Sequence, residues 1–373
     1  MTEELRRRNL IKTDTRDNEE VLTVHRKLQS KILQDLNKNS AHRDRAFAQA
    51  FLLVRTRFPA ASPIQVPEPE KWPICRKYLL HVLSLRKLFN NKAVEITPSL
   101  DLARLFSDGG IDLWERGLTQ EGLELFHSAE NILDQIRSTD AMLRANIHVI
   151  ISLLIQDSGL LGIDESKARI TKALETRRGF RETRNSESYT RNDEILLYNA
   201  ISDYGCVLLQ YNEYEEAEPL FTGCFQKYQS WDEPEEIPYE YAKYFHHMAF
   251  CQMYHGNLEE AVRLGKQGLL WVAAATGRDS AATNRWKFDL ACLTLQSGDR
   301  DEAMKLNEEI LGSRMRIHGK HASLTLQSYY ALGACSDFRG AFSVAEYVSA
   351  LSYIYLPAHR LTSTNLEPIS AQS

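Results

Sequence analysis

The sequence has no long apolar run, no strong excess of either charge and few residues that break helices. Over its 373 residues, no stretch approaches the roughly 18 consecutive apolar residues that a membrane-spanning helix needs. The formal net charge is −5, so no basic field indicates binding to nucleic acid. The 18 glycines and 11 prolines are too few for a disordered chain or an all-β chain full of tight turns. We therefore expect a globular chain with no nucleic-acid or membrane partner.

The six cysteines are widely spaced. No two of them form a C-x-x-C pair, and the two closest, Cys206 and Cys224, lie 18 residues apart. Such spacing favours small buried side chains in a reducing compartment over disulfides or a zinc site. Three consecutive arginines at positions 6–8 have no apolar run behind them, which is unlike a secretory signal. The expected location is cytoplasmic.

Motifs of enzyme active sites are also missing. The sequence contains none of the patterns G-x-x-x-x-G-K-[ST], G-x-S-x-G, H-E-x-x-H or G-x-G-x-x-G. His42-Arg43-Asp44 matches a kinase triplet, but the asparagine expected five residues later is absent. His246 and His247 lie near Cys251, yet neighbouring residues on a helix face different directions and do not easily share a metal. We predict no catalytic residues, no metal and no cofactor.

Residues 1–40 contain short apolar runs. Leu10-Ile11 is followed by a polar stretch at 13–20 that predicts a turn, and then by a second run at 22–25. Residues 27–36 have apolar side chains at helical spacing. The pattern predicts a hairpin followed by a helix, which is too small a unit to fold alone.

Residues 41–98 are predicted to be a helical connector. Helices are expected over 41–57 and 74–90, on either side of a segment at 58–73 that holds five of the prolines. Because proline lacks a backbone donor and restricts the residue before it, this segment is predicted to be extended. Its apolar residues indicate that it packs along a helical surface.

From about residue 99 the sequence repeats. Each unit has a small residue in a first helix, then Asn or Gly, then a second helix that contains an alanine; acidic pairs open that helix in three of the four clearest units. The small residues are Gly205, Ala249, Ala291 and Gly333. The residues before the second helix are Asn212, Gly256, Gly298 and Gly340. The alanines are Ala217, Ala261, Ala303 and Ala345, at intervals of 44, 42 and 42 residues. A fixed period over several positions indicates a repeat architecture.

Each part of this unit has a physical reason. A small residue lets the second helix approach closely, and the alanine lies at the contact between the helices. Gly or Asn ends the first helix, where a positive φ is often needed. Acidic residues are favourable at the positive end of the second helix. Stacking the hairpins buries the face that a single hairpin would expose.

The pattern resembles the tetratricopeptide repeat, W-x2-L-G-x2-Y…A-x3-F, in the longer form of kinesin light chains. The segment from His318-Gly319-Lys320-His321 to Leu326 is similar to the inter-repeat segment of that form. The resemblance implies an all-α superhelix of helical hairpins over 99–357, with weaker units at 110–129 and 141–178, and a flexible tail at 358–373. Gly265 and Asn307 stand where another unit has Phe221, so we expect those units to pack less tightly or to be offset.

A second resemblance covers the front of the chain. It is carried by Leu5-Arg6-Arg7-Arg8-Asn9-Leu10-Ile11, by Leu22-Thr23-Val24-His25-Arg26-Lys27-Leu28-Gln29, and by the connector segments Phe58-Pro59, Pro67-Glu68-Pro69-Glu70-Lys71-Trp72-Pro73 and His81-Val82-Leu83-Ser84-Leu85. These are similar to the end of the winged-helix subdomain and the connector of STAND-type NTPases of the NB-ARC/NACHT class, as in fungal NOD-like receptors. The resemblance implies a winged-helix-like remnant at 1–40 in which His25 matches a histidine near the nucleotide phosphates. It also implies that this chain is a receptor's C-terminal half, with an NTPase domain as an N-terminal partner.

The first helices of such repeats line the concave surface. By register, the candidates for a partner-binding groove are Asn199, Asp203, Lys243, His246, His247, Phe250, Tyr254, Arg285, Phe288, Asp289 and Tyr330. Aromatic residues with a few charges suit an amphipathic or internal peptide segment. Asp203 and Asp289 are expected to repel a free carboxylate. The alternative is that Phe250 and Phe288 pack between repeats.

The predicted function is a non-enzymatic protein-interaction scaffold, as the ligand-sensing half of a fungal NOD-like receptor. One alternative is a stand-alone adaptor that binds peptide or cargo segments without any NTPase. A second alternative is an enzyme with an unrecognised site.

The missing phosphate-binding loop generates a test. We expect the chain to show neither tight binding nor hydrolysis of ATP or ADP, because nothing in the sequence would cradle the β and γ phosphates. Titration calorimetry and a phosphate-release assay measure both. Micromolar affinity together with saturable hydrolysis would contradict the non-enzymatic prediction.

Overall fold

A computed structural model describes residues 2–16, 19–91, 96–158, 162–183, 188–231 and 234–336. The N-terminal part comprises α1 Thr2–Arg7, β1 Ile11–Arg16, β2 Glu19–Val24, α2 Arg26–Asn37, α3 Ser40–Arg55, a 3₁₀ turn Pro69–Lys71 and α4 Trp72–Phe89. The rest comprises α5 Leu100–Glu115, α6 Thr119–Gln135, α7 Ala141–Ser158, α8 Ile163–Thr183, α9 Arg191–Gln210, α10 Tyr214–Gln229, α11 Pro238–Tyr254, α12 Leu258–Thr276, α13 Ala281–Gln296, α14 Arg300–His318 and α15 Ser323–Ser336. None of the helices in these ranges is long and apolar enough to cross a membrane.

The N-terminal hairpin is present and longer than predicted. β1 and β2 pair antiparallel from Ile11 opposite Val24 to Arg16 opposite Glu19, so the turn is shorter than the stretch at 13–20. Polarity alone does not separate turn from strand here, because both strands carry polar residues on both faces, and residues 12–15 of β1 are exposed. The helix that follows, α2, buries none of its residues.

The proline-rich segment is non-helical as far as residue 68, but it is not extended throughout, because residues 62–65 form a turn. It continues into the 3₁₀ turn, and α4 begins at Trp72, two residues before the predicted start. Pro73 lies in the first turn of α4, where a backbone N–H has no intrahelical acceptor, so the missing donor costs the helix nothing. The predicted connector helix over 41–57 is α3.

Within the described residues, the repeat region consists of five helical hairpins and α15. Each helix packs on the next in sequence, and first helices of successive hairpins also contact each other: α5 with α7, α7 with α9, and α9 with α11. The first helices therefore form an inner layer. One core cluster runs from α4 through α9, so the connector and the first hairpins share a hydrophobic core.

The local rules of the repeat are confirmed where the structure describes them. Asn212, Gly256 and Gly298 have φ angles of 60°, 80° and 95° at the ends of their first helices. Ala217, Ala261 and Ala303 each have 0% of their surface exposed. The equivalent residues Gly340 and Ala345, like the tail, lie outside the described residues.

Large and small residues complement each other between the two helices of a hairpin. A Cβ added at Gly205 would lie 2.5 Å from the Phe221 ring, and one at Gly110 would lie 2.6 Å from the Phe126 ring. At Gly265 the aromatic ring is missing. A Cβ added at Gly265 would lie 3.1 Å from Cδ1 of Leu290, which belongs to the next hairpin. The space is thus occupied by a leucine of the neighbouring unit.

Asn307 is the other departure from the aromatic position. It is fully buried, and its Nδ2 donates to the Ala303 carbonyl at 2.9 Å. Its Oδ1 has no hydrogen-bond partner. Burying an unsatisfied amide oxygen costs stability, so this unit differs from the others in polarity rather than only in size.

The alanine contact can be tested at Ala261. Replacing Ala261 with Leu would overpack the contact between α11 and α12, and we expect the free energy of unfolding to fall by about 1–3 kcal/mol. Ala274→Leu, at an exposed site of α12, is the matched control. Urea unfolding followed by circular dichroism measures both. Equal midpoints for the two variants would mean that the register of the repeat is wrong.

Candidate functional site

A groove opens along the inner layer of helices and encloses about 1060 Å³, including the part open to solvent. Its walls come almost entirely from first helices. They are formed by Trp114 of α5; Val149, Ile150, Leu153 and Gln156 of α7; Asn199, Asp203, Cys206, Leu209 and Gln210 of α9; Tyr239, Lys243, His246, His247, Phe250 and Tyr254 of α11; Arg285 and Trp286 of α13; and Gln65 of the connector. We call this the inner groove.

Most of the residues predicted for a binding surface lie together in its wall. They are Asn199, Asp203, Lys243, His246, His247, Phe250, Tyr254 and Arg285. The helical period explains this result, since residues three, four and seven apart on α11 face the same side.

Three of the predicted residues lie elsewhere. Phe288 is buried, with the Arg314 guanidinium 4.7 Å from its ring centroid, and it lines a separate, smaller pocket. Asp289 lies behind His246 and does not reach the wall of the inner groove. Tyr330 is exposed on α15, away from the groove. The position of Phe288 matches the alternative stated above, in which this residue packs between repeats.

The carboxylates of the groove are engaged within the protein, which corrects the expected charge pattern. Lys243 Nζ lies 2.5 Å from Asp203 Oδ1, and both side chains are buried. His246 Nε2 lies 2.9 Å from Asp289 Oδ2, and its ring stacks on Trp286 at 4.5 Å. Asp203 therefore does not act as a free repelling charge, and Lys243 is not available to grip a carboxylate.

His247 and Cys206 form a neutral polar contact. His247 Nδ1 lies 3.1 Å from Ser202 Oγ, and its Nε2 lies 3.1 Å from Cys206 Sγ. Burial lowers the pKa of His247 well below its ordinary range and raises the pKa of Cys206 well above its own. Both groups are thus uncharged at neutral pH, which is unlike an activated thiolate beside a protonated histidine. Within the described residues, no group of three potential ligands could hold a metal ion.

An amide network extends the polar part of the groove. Asn199 Nδ2 donates to Glu240 Oε1 at 3.1 Å, and its Oδ1 accepts from the Tyr228 hydroxyl at 3.0 Å. Gln210 Nε2 donates to Gln156 Oε1 at 3.4 Å. These contacts hold the amide side chains in place, so the groove has a fixed surface.

Sequence reasoning missed roughly half of the wall. Trp286 lies three residues before the predicted Asp289, so the helical period would have placed it on the same face of α13. The α7 residues belong to a weaker unit in which the repeat pattern did not fix the register. Gln65 lies in the connector, and no sequence signal links it to the repeats.

His25 occupies a helix cap. Its Nδ1 accepts from the Lys27 backbone N–H at 3.2 Å, at the start of α2. This contact is what an N-cap requires. The nucleotide-sensing role implied by the resemblance stays a prediction.

Comparison with solved structures identifies the fold of this chain. No protein-family model and no curated protein matches the chain by sequence. The solved structure of a Rap protein complexed with competence and sporulation factor matches with a TM-score of 0.51 and 12% identity, covering 83% of this chain and 81% of that one. The Rap conjugation gene regulator of plasmid pLS20, in complex with the Phr* peptide, matches with a TM-score of 0.50 and 14% identity, covering 76% and 78%. This chain therefore has the fold of a tetratricopeptide-like helical solenoid.

The buried pair of the groove can be tested by substitution. Lys243→Met would leave the Asp203 carboxylate buried without a partner, and we expect the free energy of unfolding to fall by about 3–5 kcal/mol. The double variant Lys243→Met/Asp203→Leu removes both charges and should recover most of that loss. Urea unfolding measures the three proteins. A single variant as stable as the unmodified chain would show that Asp203 does not depend on Lys243.

Proposed function

We propose that this chain is a non-enzymatic protein-interaction scaffold that binds a peptide or a segment of another protein in the inner groove. The observation that carries the proposal is the groove itself. It has aromatic and aliphatic walls on several helices, its Lys243 is paired with Asp203, and its His246 lies within hydrogen-bond distance of Asp289. Such a surface offers anchor pockets at little ordering cost, as peptide-binding sites require.

The polar chemistry of the groove favours an internal or amphipathic segment over a free C-terminus. A carboxylate clamp needs cationic groups aimed at the ligand, whereas Lys243 is held by Asp203. Phe250 and Tyr254 are half-buried in the wall, which leaves part of each ring for a ligand. Salt screens exposed charge pairs. Because the proposed ligand is anchored mainly by apolar side chains, we expect its affinity to depend only modestly on salt.

The structural neighbours support this proposal. One Rap protein was solved with competence and sporulation factor and another with the Phr* peptide. The shared solenoid is therefore a fold on which peptide ligands are bound.

A finer proposal places this chain as the ligand-sensing half of a cytoplasmic STAND-type NTPase of the fungal NOD-like receptor class. Among the described residues of the N-terminal part, seven large apolar side chains are 39–71% exposed, and they are Leu22, Ile32, Leu33, Leu52, Leu53, Ile74 and Leu80. An apolar surface of this kind suits contact with a further domain. The alternative is a stand-alone adaptor. A phosphate-binding loop encoded immediately upstream would favour the receptor.

The ligand can be sought directly. Random peptides displayed on phage are selected on the immobilised full chain, and the best binder is then synthesised. Phe250→Ala should weaken its binding by about tenfold or more, because it removes an aromatic anchor from the groove. Leu270→Ala, at a side chain that is 73% exposed on α12, is the matched control and should bind as the unmodified chain does.

The same peptide distinguishes the two binding modes. Amidating its C-terminus should leave the affinity unchanged. If Phe250→Ala binds normally while amidation abolishes binding, the ligand is held by its carboxylate and the proposed mode is wrong. If selection on the full chain yields no peptide that binds in solution, the proposed function itself fails.

A further inference from the structure

Residues 59–68, which we call the connector loop, leave α3 and run into the interior of the repeats. Both ends of the loop are fastened to α5. The backbone N–H of Ala61 donates to Asp108 Oδ1 at 3.0 Å, and that of Glu68 donates to Glu115 Oε2 at 3.2 Å. Asp108 also pairs with Arg55 of α3 at 2.5 Å. Two carboxylates of the first hairpin thus capture backbone donors that an extended segment would otherwise leave unpaired.

The tip of the loop reaches hairpins far along the chain. The Gln65 N–H donates to the Ser62 carbonyl at 3.1 Å and closes a turn around Pro63. Ile64 packs on the apolar cluster of α9, α10 and α11, and Val66 packs on that of α11, α12 and α13. Gln65 is at the tip between them, with φ at 57°. The connector loop therefore spans from α5 to α13, and its tip residue is part of the wall of the inner groove.

Arg177 of α8 holds this tip. Its guanidinium is 1% exposed and donates to Gln65 Oε1 at 2.7 Å, to Asn146 Oδ1 at 2.8 Å and to the Leu196 carbonyl. Within the described residues, no carboxylate lies at ion-pair distance from Arg177. Gln65 completes the link, because its Nε2 donates to the Asn146 carbonyl at 3.0 Å.

These contacts make the loop a fixed element. If it withdrew, a fully buried cation would lose one of its three acceptors, and its Nε already has no partner. Leaving a buried charged donor unsatisfied is costly. A ligand that had to displace the loop would bear that cost, whereas a ligand that packs beside Gln65 would not.

We propose that the connector loop is a built-in wall of the inner groove, and that Gln65 and Arg177 are positioning residues for its ligand. This inference rests on the proposed function. Because the loop belongs both to the groove and to the connector, a ligand in the groove stabilises docking of α3 and α4 on the repeats. By linkage, loosening the connector weakens binding by the same factor. Occupancy of the repeats is in this way communicated to the N-terminal part of the chain.

The first arm of the test uses hydrogen exchange on the full chain, with and without the peptide obtained by phage selection. Exchange at the amides of Ala61, Gln65 and Glu68 should become slower when the peptide is bound, although only Gln65 lines the groove. Phe250→Ala, mixed with peptide at the same concentration, should show little of this protection.

The second arm measures affinity. Gln65→Ala should bind the peptide about tenfold more weakly, a factor within the usual range of coupling between two sites, because the loop loses its links to Arg177 and Asn146 and no longer holds the groove wall in place. Gln49→Ala, at an exposed position of α3, makes the same chemical change and should bind normally. Equal helical content by circular dichroism for both variants separates positioning from unfolding.

The outcomes are distinct. If the peptide binds but exchange in the connector loop is unchanged or faster, and Gln65→Ala binds normally, the loop is not a wall of the site and this inference is overturned while the proposed function stands. If no peptide binds the unmodified chain, both fail together. If Gln65→Ala does not fold, the exchange arm on the unmodified chain decides alone.

Discussion

Most hairpins of this solenoid depend on a close approach of two helices at residues that have almost no side chain. Ala217, Ala261 and Ala303 are fully buried at these contacts, and Gly205 leaves room for the Phe221 ring. Interiors are close-packed, so a single added methylene there is felt. This close contact sets the distance between the first and the second helix of a hairpin. The first helices then stack on one another and form the inner layer that lines the groove.

The chemistry of the groove follows from what the inner helices do with their polar residues. Burying a charge is expensive unless it is paired. Here Lys243 forms an ion pair with Asp203, and His246 lies within hydrogen-bond distance of Asp289, each across neighbouring first helices. These pairs tie successive hairpins together and leave a groove whose free surface is mostly aromatic and aliphatic. The same arrangement that stabilises the stack thus determines the class of ligand that fits it.

A stacked array normally couples each repeat only to its neighbours. The connector loop departs from that rule, since it contacts α5 through two carboxylates and reaches the apolar clusters of α11 and α13. One short segment therefore joins hairpins that are distant in sequence. It gives this solenoid a contact that spans several repeats and connects its inner surface to the N-terminal part.

The features that arise from local geometry could be predicted from the amino-acid sequence alone. The period of about 42 residues, the buried alanines and the positive φ at Asn212, Gly256 and Gly298 all follow from the requirements of one helical hairpin. The helical register likewise placed Lys243, His246, His247 and Phe250 on one face of α11.

The use that the fold makes of these residues depends on contacts between distant parts of the chain. Asp203 is paired with Lys243, which lies 40 residues away in the sequence, and Phe288 is buried in the core. Gln65 enters the groove wall through an arginine 112 residues further along the chain. Periodicity reports which way a side chain faces on its own helix. It does not report the path of the superhelix, and that path brings these distant groups together.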